Sequence, residues 1–141
     1  MTRIVVGVDG SEPSHRALEW AVEEARLRHA NLEVVHAWTY SPLGTSPYHP
    51  TMLDPSVMER IAHDLLDGSM ATVDTTGVEV TKSLVCDGAA AALVEEGKGA
   101  DLLVVGSRGR GGFAGLLLGS VSQQVVHHAR CPVVIIPAEQ S

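Results

Sequence analysis

The chain has 141 residues, of which 45% are hydrophobic, and its 10 basic against 17 acidic residues give a net charge of −7. This length predicts a single domain, residues 1–141, with a mainly aliphatic core because only 4% of the residues are aromatic. The acidic balance argues against nucleic acid as a partner, since such binding depends on lysine and arginine side chains that neutralise phosphates. No apolar run approaches the ~20 residues that span a bilayer. Asp9 interrupts the short apolar stretch near the N-terminus, which therefore does not fit the pattern of a signal peptide. We expect a cytoplasmic protein without a membrane partner.

The first third of the chain alternates between strand and helix patterns. Residues 3–8 form a β-branched run without polar alternation, which is typical of a strand covered on both faces. Ser11 is a suitable helix cap and Pro13 suits a first helical turn, and apolar residues then recur at helical spacing to about His29. A second strand is predicted over residues 32–38.

The middle of the chain begins with a predicted long loop. Residues 39–56 carry four of the seven prolines, and long loops in compact domains are usually functional or mobile. Pro55 suits the start of a second helix, whose end is weakened near Gly68. A third strand is predicted over residues 78–86, followed by an alanine-rich helix over about 89–98.

The last third supplies a strand over residues 102–105, a helix over 122–128 and a strand over 133–136. The nine predicted elements therefore alternate as β-α-β-α-β-α-β-α-β, which predicts an α/β fold with a parallel sheet between two helical layers. The pattern by itself is compatible with strand order 2-1-3-4-5 and with 3-2-1-4-5. In either order, ligands are expected beyond the carboxyl ends of the strands, where the winding reverses.

A glycine-rich segment links the fourth strand to the fourth helix. Gly106-Ser107-Arg108-Gly109 is followed after nine residues by Gly119-Ser120-Val121-Ser122. Backbone N–H groups at a helix start have no partners within the helix, and the helix dipole favours an anion there. Glycines allow close approach of the backbone, and the serine hydroxyls add donors. This arrangement predicts a phosphate-binding site.

The same spacing resembles that of a known family. Gly, two residues, Gly, nine residues and Gly-Ser is the nucleotide-binding pattern of ATP-binding universal stress proteins. Residues 4–11, 101–105 and 131–137 resemble the first, fourth and last strands of that family. The resemblance implies a five-stranded parallel sheet of order 3-2-1-4-5, Rossmann-like, which binds an adenine nucleotide. It also implies a nucleotide-dependent stress regulator or sensor with ATP as ligand, accompanied by Mg²⁺.

The order 3-2-1-4-5 would place the first and fourth strands side by side, so that the turns following them face one crevice. Resemblance and geometry together assign the glycine loop and Gly119–Ser122 to ribose and phosphates, with Arg108 neutralising phosphate charge. Asp9 would reach the nucleoside or a phosphate-bound Mg²⁺, and Ala37 would face adenine. The expected nucleotide-binding residues are Asp9, Gly10, Ser11, Ala37, Val105, Gly106, Arg108, Gly109, Gly119, Ser120, Val121 and Ser122.

Other motifs are poor matches for catalytic or metal sites. Residues 109–114 fit G-x-G-x-x-A, but that dinucleotide fingerprint belongs after a first strand and needs an acidic residue about 20 positions later. His127 and His128 would point about 100° apart on a helix, which is unsuitable for one shared metal. No catalytic residue is assigned, because nothing marks a general base for phosphoryl transfer. Alternatives are a slow ATPase or phosphotransferase, a cyclic-AMP-binding protein, and an interaction protein that binds no nucleotide.

The apolar sequence of the fifth strand indicates that a second protein chain pairs with it. In the order 3-2-1-4-5 it lies at the edge of the sheet, and residues 133–136 are all apolar. An uncharged apolar edge strand tends to pair with another strand. We therefore expect a homodimer through strand 132–136, which the family resemblance also implies, besides regulatory protein partners that remain unidentified.

Overall fold

Nine helices and strands follow one another in the computed structural model, which describes residues 2–39, 54–108 and 118–138. Most of the predicted loop over 39–56 lies outside the described residues, as does the predicted site residue Gly109. The elements are β1 (Arg3–Gly7), α1 (Glu12–Arg28), β2 (Asn31–Trp38), α2 (Pro55–Met70), β3 (Val80–Cys86), α3 (Ala89–Glu96), β4 (Leu102–Gly106), α4 (Ser120–His128) and β5 (Val133–Ile136).

The five strands form one parallel sheet in the order β3-β2-β1-β4-β5. At its centre, Val6 of β1 lies opposite Val34 of β2 and Val104 of β4. This arrangement confirms the order 3-2-1-4-5 and excludes 2-1-3-4-5. The winding direction therefore reverses between β1 and β4.

Helices cover both faces of the sheet. Because successive strand residues point to opposite sides, each strand contributes side chains to two separate cores. Ile4 and Val6 pack into a core with α1 and α2, where Leu18 is fully buried. Val5 packs on the other face with residues of α3 and α4, among them Val125. Burial on both faces explains why β1 and β4 lack polar alternation.

Local capping fixes both ends of α1 and the start of α2. The Ser11 hydroxyl accepts the N–H of Ser14 at 3.3 Å to begin α1, and the Asp54 carboxylate accepts the N–H of Ser56 at 2.9 Å to begin α2. His29 adopts the left-handed conformation, with φ of 53°, directly after α1. Gly68 does not end α2, which continues to Met70.

An ionic cluster lies near the amino ends of the central strands, away from the carboxyl ends. The Arg3 guanidinium donates to the Glu33 carboxylate at 2.8 Å and to the carbonyls of Glu96 and Lys98 at 3.0 and 2.7 Å. A hydrogen bond to Glu33 raises the pKa of Glu96, and burial and the charge of Glu33 add to the effect. Among the helices of the described ranges, none has both the length and the apolar character needed to cross a membrane.

Candidate functional site

A cavity opens where the winding reverses. β1 leads into α1 on one face and β4 leads towards α4 on the other, so their carboxyl ends face the same cleft. Residues of three strands, β1, β2 and β4, and of three helices, α1, α3 and α4, meet around it. Its lining comprises Gly7, Val8, Asp9, Ser14, Val35, Ala37, Ala89, Leu93, Val105, Gly106, Arg108, Val121 and Ser122.

The turn after β1 is held by a local network of polar groups. The Asp9 carboxylate accepts the N–H of Ser11 at 2.9 Å and also accepts the Ser11 hydroxyl. The buried Ser14 hydroxyl accepts the N–H of Asp9 at 3.2 Å and donates to the Ser11 carbonyl at 3.0 Å. Gly10 has φ of 81°, a backbone conformation that would be strained for a residue with a side chain. The network fixes Asp9 at the cavity wall.

The start of α4 forms the opposite wall. Gly119 is the N-cap residue and provides no side chain to bond the first N–H groups of the helix. Ser120, Val121 and Ser122 occupy the first turn, where backbone N–H groups point out of the helix end. Val121 is 38% exposed and borders the cavity. This helix start suits an anion because its donors and dipole are not offset by an acidic side chain.

Ser107 connects the two ends of the glycine-rich segment. Its carbonyl accepts the N–H of Gly119 at 2.7 Å and the hydroxyl of Ser122 at 2.8 Å. Its N–H donates to the Ile136 carbonyl at 2.8 Å, and its hydroxyl accepts the N–H of Ala138 at 3.0 Å. Ser107 is buried, so these bonds are shielded from water. One residue thus joins β4, the start of α4 and the end of β5.

An apolar slot lies beneath this polar rim. Ala37 and Val35 from β2 and Val105 from β4 contribute small or branched side chains to it. Leu93 of α3 covers Gly7, where an added Cβ would lie 2.8 Å from both Leu93 methyl carbons. A flat aromatic group is the kind of ligand that such a slot accommodates.

The structure brings most of the predicted site residues together. Seven of them line the cavity: Asp9, Ala37, Val105, Gly106, Arg108, Val121 and Ser122. Gly10 and Ser11 instead border a neighbouring pocket between α1 and α2, and Gly119 and Ser120 stand at the start of α4. The hydroxyl of Ser122 differs from the expected phosphate donor, since it donates to the carbonyls of Ser107 and Gly119 at 2.8 and 3.0 Å.

Sequence reasoning did not assign Gly7, Ser14 and Leu93 to this region, and it included Ser107 in the glycine-rich segment without giving it a role of its own. A glycine in an otherwise β-branched strand is a signal for close approach of another group, and Gly7 carried that signal. Gly106 has a second reason to be glycine, because an added Cβ would lie 3.0 Å from backbone atoms of Pro13. Its position therefore depends on the packing of α1 as well as on the cavity.

A buried histidine of β2, His36, has a structural contact with the end of the turn after β1. The Nδ1 atom of His36 lies 2.8 Å from the Val8 carbonyl, and because a carbonyl only accepts, Nδ1 carries the proton. His36 is buried and does not line the cavity. In the ranges 2–39, 54–108 and 118–138, no three or more histidine, cysteine, aspartate or glutamate side chains are grouped so as to hold a metal ion.

Solved structures with this fold include nucleotide complexes. A universal stress protein in complex with cAMP is 31% identical, with a TM-score of 0.64, and the match covers 96% of this chain and 95% of that chain. The universal stress protein of Archaeoglobus fulgidus in complex with dAMP is 25% identical, with a TM-score of 0.68 and coverage of 96% and 98%. The fold described above is therefore shared with proteins that hold adenine nucleotides.

Sequence comparison leads to the same group of proteins. Universal stress protein Rv2005c of Mycobacterium tuberculosis is 40% identical over 134 residues, which are 94% of this chain and 44% of that protein. The chain thus spans less than half the length of the curated relatives that it matches. The universal stress protein family matches residues 1–137. On this match and on the shared sheet topology, the chain belongs to the universal stress protein family.

Proposed function

We propose that this chain binds an adenine nucleotide, with ATP as the physiological ligand, and acts as a nucleotide-dependent stress regulator in the cytoplasm. The observation that carries the proposal is the cavity at the strand reversal, which places an apolar slot beside the uncapped start of α4. The base would occupy the slot at Ala37 and Val105. The phosphates would meet the backbone donors at Gly119–Ser122.

Local charge supports a polyphosphate ligand despite the net charge of −7. Residues 102–138 contain no aspartate or glutamate, whereas Arg108, Arg110 and Arg130 fall within this part of the sequence. Arg108 lines the cavity. The potential near the helix start is therefore less negative than the composition of the whole chain suggests.

Magnesium would arrive with the phosphates. Mg²⁺ prefers oxygen ligands and keeps several waters, so one carboxylate with phosphate oxygens is an adequate site. Asp9 is the carboxylate on the cavity wall, and one of its oxygens already accepts from Ser11. Asp9 would thus orient the hydrated ion from one side, and the phosphates would complete its coordination.

Calorimetric titration of the purified protein with ATP, in the presence and absence of Mg²⁺, tests the proposal. Ser120→Asp adds a carboxylate to the exposed first turn of α4. Its interaction with the helix dipole should stabilise the helix by about 0.3–1 kcal/mol, whereas its charge should repel phosphate. We expect binding to fall at least tenfold while thermal stability is kept or increased. Absence of micromolar binding by the wild type would remove the proposal.

Two matched variants isolate the charge effect. Ser120→Ala removes only the hydroxyl and should retain most of the affinity. Ser56→Asp places the same carboxylate in the first turn of α2, outside the cavity lining, and should leave the affinity unchanged. Equal losses in Ser120→Asp and Ser56→Asp would indicate a general charge effect and place the phosphates elsewhere.

A cyclic nucleotide is the second candidate ligand, because the 31%-identical structure holds cAMP. A cyclic phosphate carries less charge than a triphosphate, so it depends more on the apolar slot and less on the start of α4. Competition of cAMP and of AMP against bound ATP measures their relative affinities. The same competition with Ser120→Asp shows whether ATP or cAMP depends more on the start of α4. A preference for ATP predicts that the variant narrows the difference in affinity between ATP and cAMP.

A homodimer through β5 belongs to the same proposal. β5 lies at the edge of the sheet, and Val133, Val134 and Ile135 are only half-buried in one copy. Pairing with the same strand of a second copy would satisfy the open backbone groups and cover these side chains. The structural unit in this dimer would be the single domain of residues 1–141. Sedimentation analysis of Val134→Lys against the wild type tests the pairing.

A further inference from the structure

The hydrogen-bond ladder between β4 and β5 changes its acceptor at Ser107. The N–H of Leu103 donates to the Pro132 carbonyl at 2.9 Å, and the N–H of Ser107 donates to the Ile136 carbonyl at 2.8 Å. In a regular parallel ladder, the next bond would join the N–H of Ala138 to the carbonyl of Ser107. That N–H donates instead to the Ser107 hydroxyl, at 3.0 Å. The hydroxyl thus extends the pairing of β5 by one bond.

The carbonyl of Ser107 has left the ladder because it bonds the start of α4. It accepts the N–H of Gly119 at 2.7 Å and the hydroxyl of Ser122 at 2.8 Å. The two oxygens of Ser107 therefore serve different elements, since the carbonyl holds α4 and the hydroxyl holds the end of β5. Ser107 is only 5% exposed, so breaking either set of bonds would leave polar groups with little access to water.

Ser107 lies between two residues of the nucleotide cavity without lining it. Gly106 and Arg108 belong to the lining, whereas the hydroxyl of Ser107 is engaged on the β5 side. A ligand that restrains the start of α4, or the backbone on either side of Ser107, therefore restrains Ser107 as well. This restraint reaches Ala138 through the hydroxyl, although Ala138 is not part of the cavity lining.

The carboxyl end of β5 has few other attachments. β5 is the edge strand, so only β4 pairs with it within the sheet. The guanidinium of Arg16 in α1 donates to the Pro137 carbonyl at 2.6 Å and provides a second tether. In the described part of the chain, the bond from Ala138 to Ser107 is the last one by which a backbone N–H holds this end to β4.

We propose that Ser107 couples occupation of the nucleotide cavity to the hydrogen bonding of residues 136–138 at the carboxyl end of β5. This inference rests on the proposed function, because it takes the adenine nucleotide as the ligand. Phosphates at the start of α4 restrain Gly119 and Ser122, which hold the carbonyl of Ser107. Its hydroxyl then keeps Ala138 bonded and opposes local opening. The nucleotide thereby controls the edge strand that the proposed homodimer would use.

Hydrogen exchange of residues 134–138, with and without saturating ATP, tests this coupling because exchange reports local opening. ATP should slow exchange in this segment at least about threefold, as expected for one net hydrogen bond. Residues 80–86 of β3 are the reference, because they lie at the other edge of the sheet. They should slow only through the general stabilisation that any bound ligand provides. The slowing at 134–138 should exceed this reference.

Variants separate the hydroxyl of Ser107 from other contacts. Ser107→Ala keeps the backbone bonds to α4, so ATP should still bind, but the slowing of residues 134–138 should fall to that of β3. Ser83→Ala is the matched control, since it removes a hydroxyl that donates to Glu33 at 2.9 Å in the opposite edge strand, and it should retain the slowing. Arg16→Ala removes the other tether and should speed exchange equally with and without ATP.

Reciprocity provides a second measurement. Because coupling between two sites acts in both directions, Ser107→Ala should lower ATP affinity by about the factor by which ATP slows opening at 134–138 in the wild type. Ser83→Ala should leave the affinity unchanged. A loss of stability without coupling would not give matching factors for these two measurements. The wild-type comparison against β3 does not depend on whether Ser107→Ala folds.

Calorimetry on the same samples distinguishes the failure of this inference from that of the proposed function. A wild type that does not bind ATP removes both. If ATP binds but residues 134–138 slow no more than β3, only the coupling is overturned. The coupling is also overturned if Ser107→Ala keeps the slowing or if Arg16→Ala loses it equally. Slowing that vanishes at about tenfold lower protein concentration would belong to dimerisation and would overturn the coupling as well.

Discussion

The hydroxyl of Ser122 lies 2.8 Å from the carbonyl oxygen of Ser107 and joins the first turn of α4 to the end of β4. The same carbonyl accepts the N–H of Gly119 at 2.7 Å. The two ends of the glycine-rich segment are therefore held together by the protein itself. The donors at the start of α4 are positioned before any ligand is bound, which reduces the ordering that binding requires.

Ser122→Ala should destabilise the fold, because it removes a buried hydroxyl that donates to two backbone carbonyls. Loss of a buried hydrogen bond of this kind costs about 1–2 kcal/mol in the free energy of unfolding. Chemical denaturation measures the change. Ser120→Ala, at an exposed position of the same turn, is the control and should stay within about 0.5 kcal/mol of the wild type. Similar values for both variants would contradict the role of the Ser122–Ser107 bond.

Gly106→Ala should be destabilising for a steric reason. The new Cβ would lie 3.0 Å from the carbonyl carbon and oxygen of Pro13, and backbone atoms at the start of α1 have little freedom to move. We expect a loss of about 1–3 kcal/mol in the free energy of unfolding.

Gly68→Ala provides the opposite result under the same measurement. Among the described residues, no atom outside the local backbone of α2 lies within 4 Å of a Cβ added there, and Gly68 is inside α2. Alanine should therefore stabilise the protein by about 0.5–1 kcal/mol through its higher helix propensity. If Gly106→Ala were as well tolerated as Gly68→Ala, the close packing of α1 on β4 would be refuted.

Gly7→Ala should affect ligand affinity more than stability. Its Cβ would press on the two methyl groups of Leu93, which are the flexible end of that side chain and line the cavity. Leu93 would move into the apolar slot and narrow it, so we expect weaker nucleotide binding by calorimetry. Gly7→Ala combined with Leu93→Val makes room again and should recover part of the affinity. If the double variant stays folded but does not regain nucleotide affinity, the base binds away from this slot.

Glu96→Gln should stabilise the protein at neutral pH but not in acid. The hydrogen bond to Glu33, burial and the charge of Glu33 raise the pKa of Glu96 above its ordinary range in the folded state. The folded protein therefore binds this proton more tightly than the unfolded chain. The resulting contribution favours the fold in acid and is lost as pH rises through the folded-state pKa. Glutamine imitates the protonated side chain, so it retains this contribution at pH 7.

Thermal unfolding of the wild type and Glu96→Gln between pH 3.5 and 8 measures this difference. The two melting temperatures should coincide near the acidic end and separate as Glu96 ionises. The separation should be small, because Glu96 is only partly buried and water screens its charge. A constant difference across the range would show that folding does not raise the pKa of Glu96.

The order and type of the nine elements could be predicted from sequence because they depend on local patterns. Ser11 and Pro13 start α1, and the uninterrupted apolar runs of β1 and β4 reveal strands buried on both faces. Errors were confined to the ends of elements. β3 begins at Val80 rather than at residue 78, because the N–H of Val78 closes a turn onto the Thr75 carbonyl.

The contacts between distant segments were decided only by the tertiary structure. Ser107 could not be recognised as the junction of β4, α4 and β5, because its partners are up to 31 residues away along the chain. Nor does the spacing of glycines reveal that the Ser122 hydroxyl bonds backbone carbonyls or that Gly106 accommodates Pro13. Backbone preference and hydrophobic period are properties of short segments, and they determine helices and strands. Which segments then touch depends on the packing of the whole sheet, which no local pattern encodes.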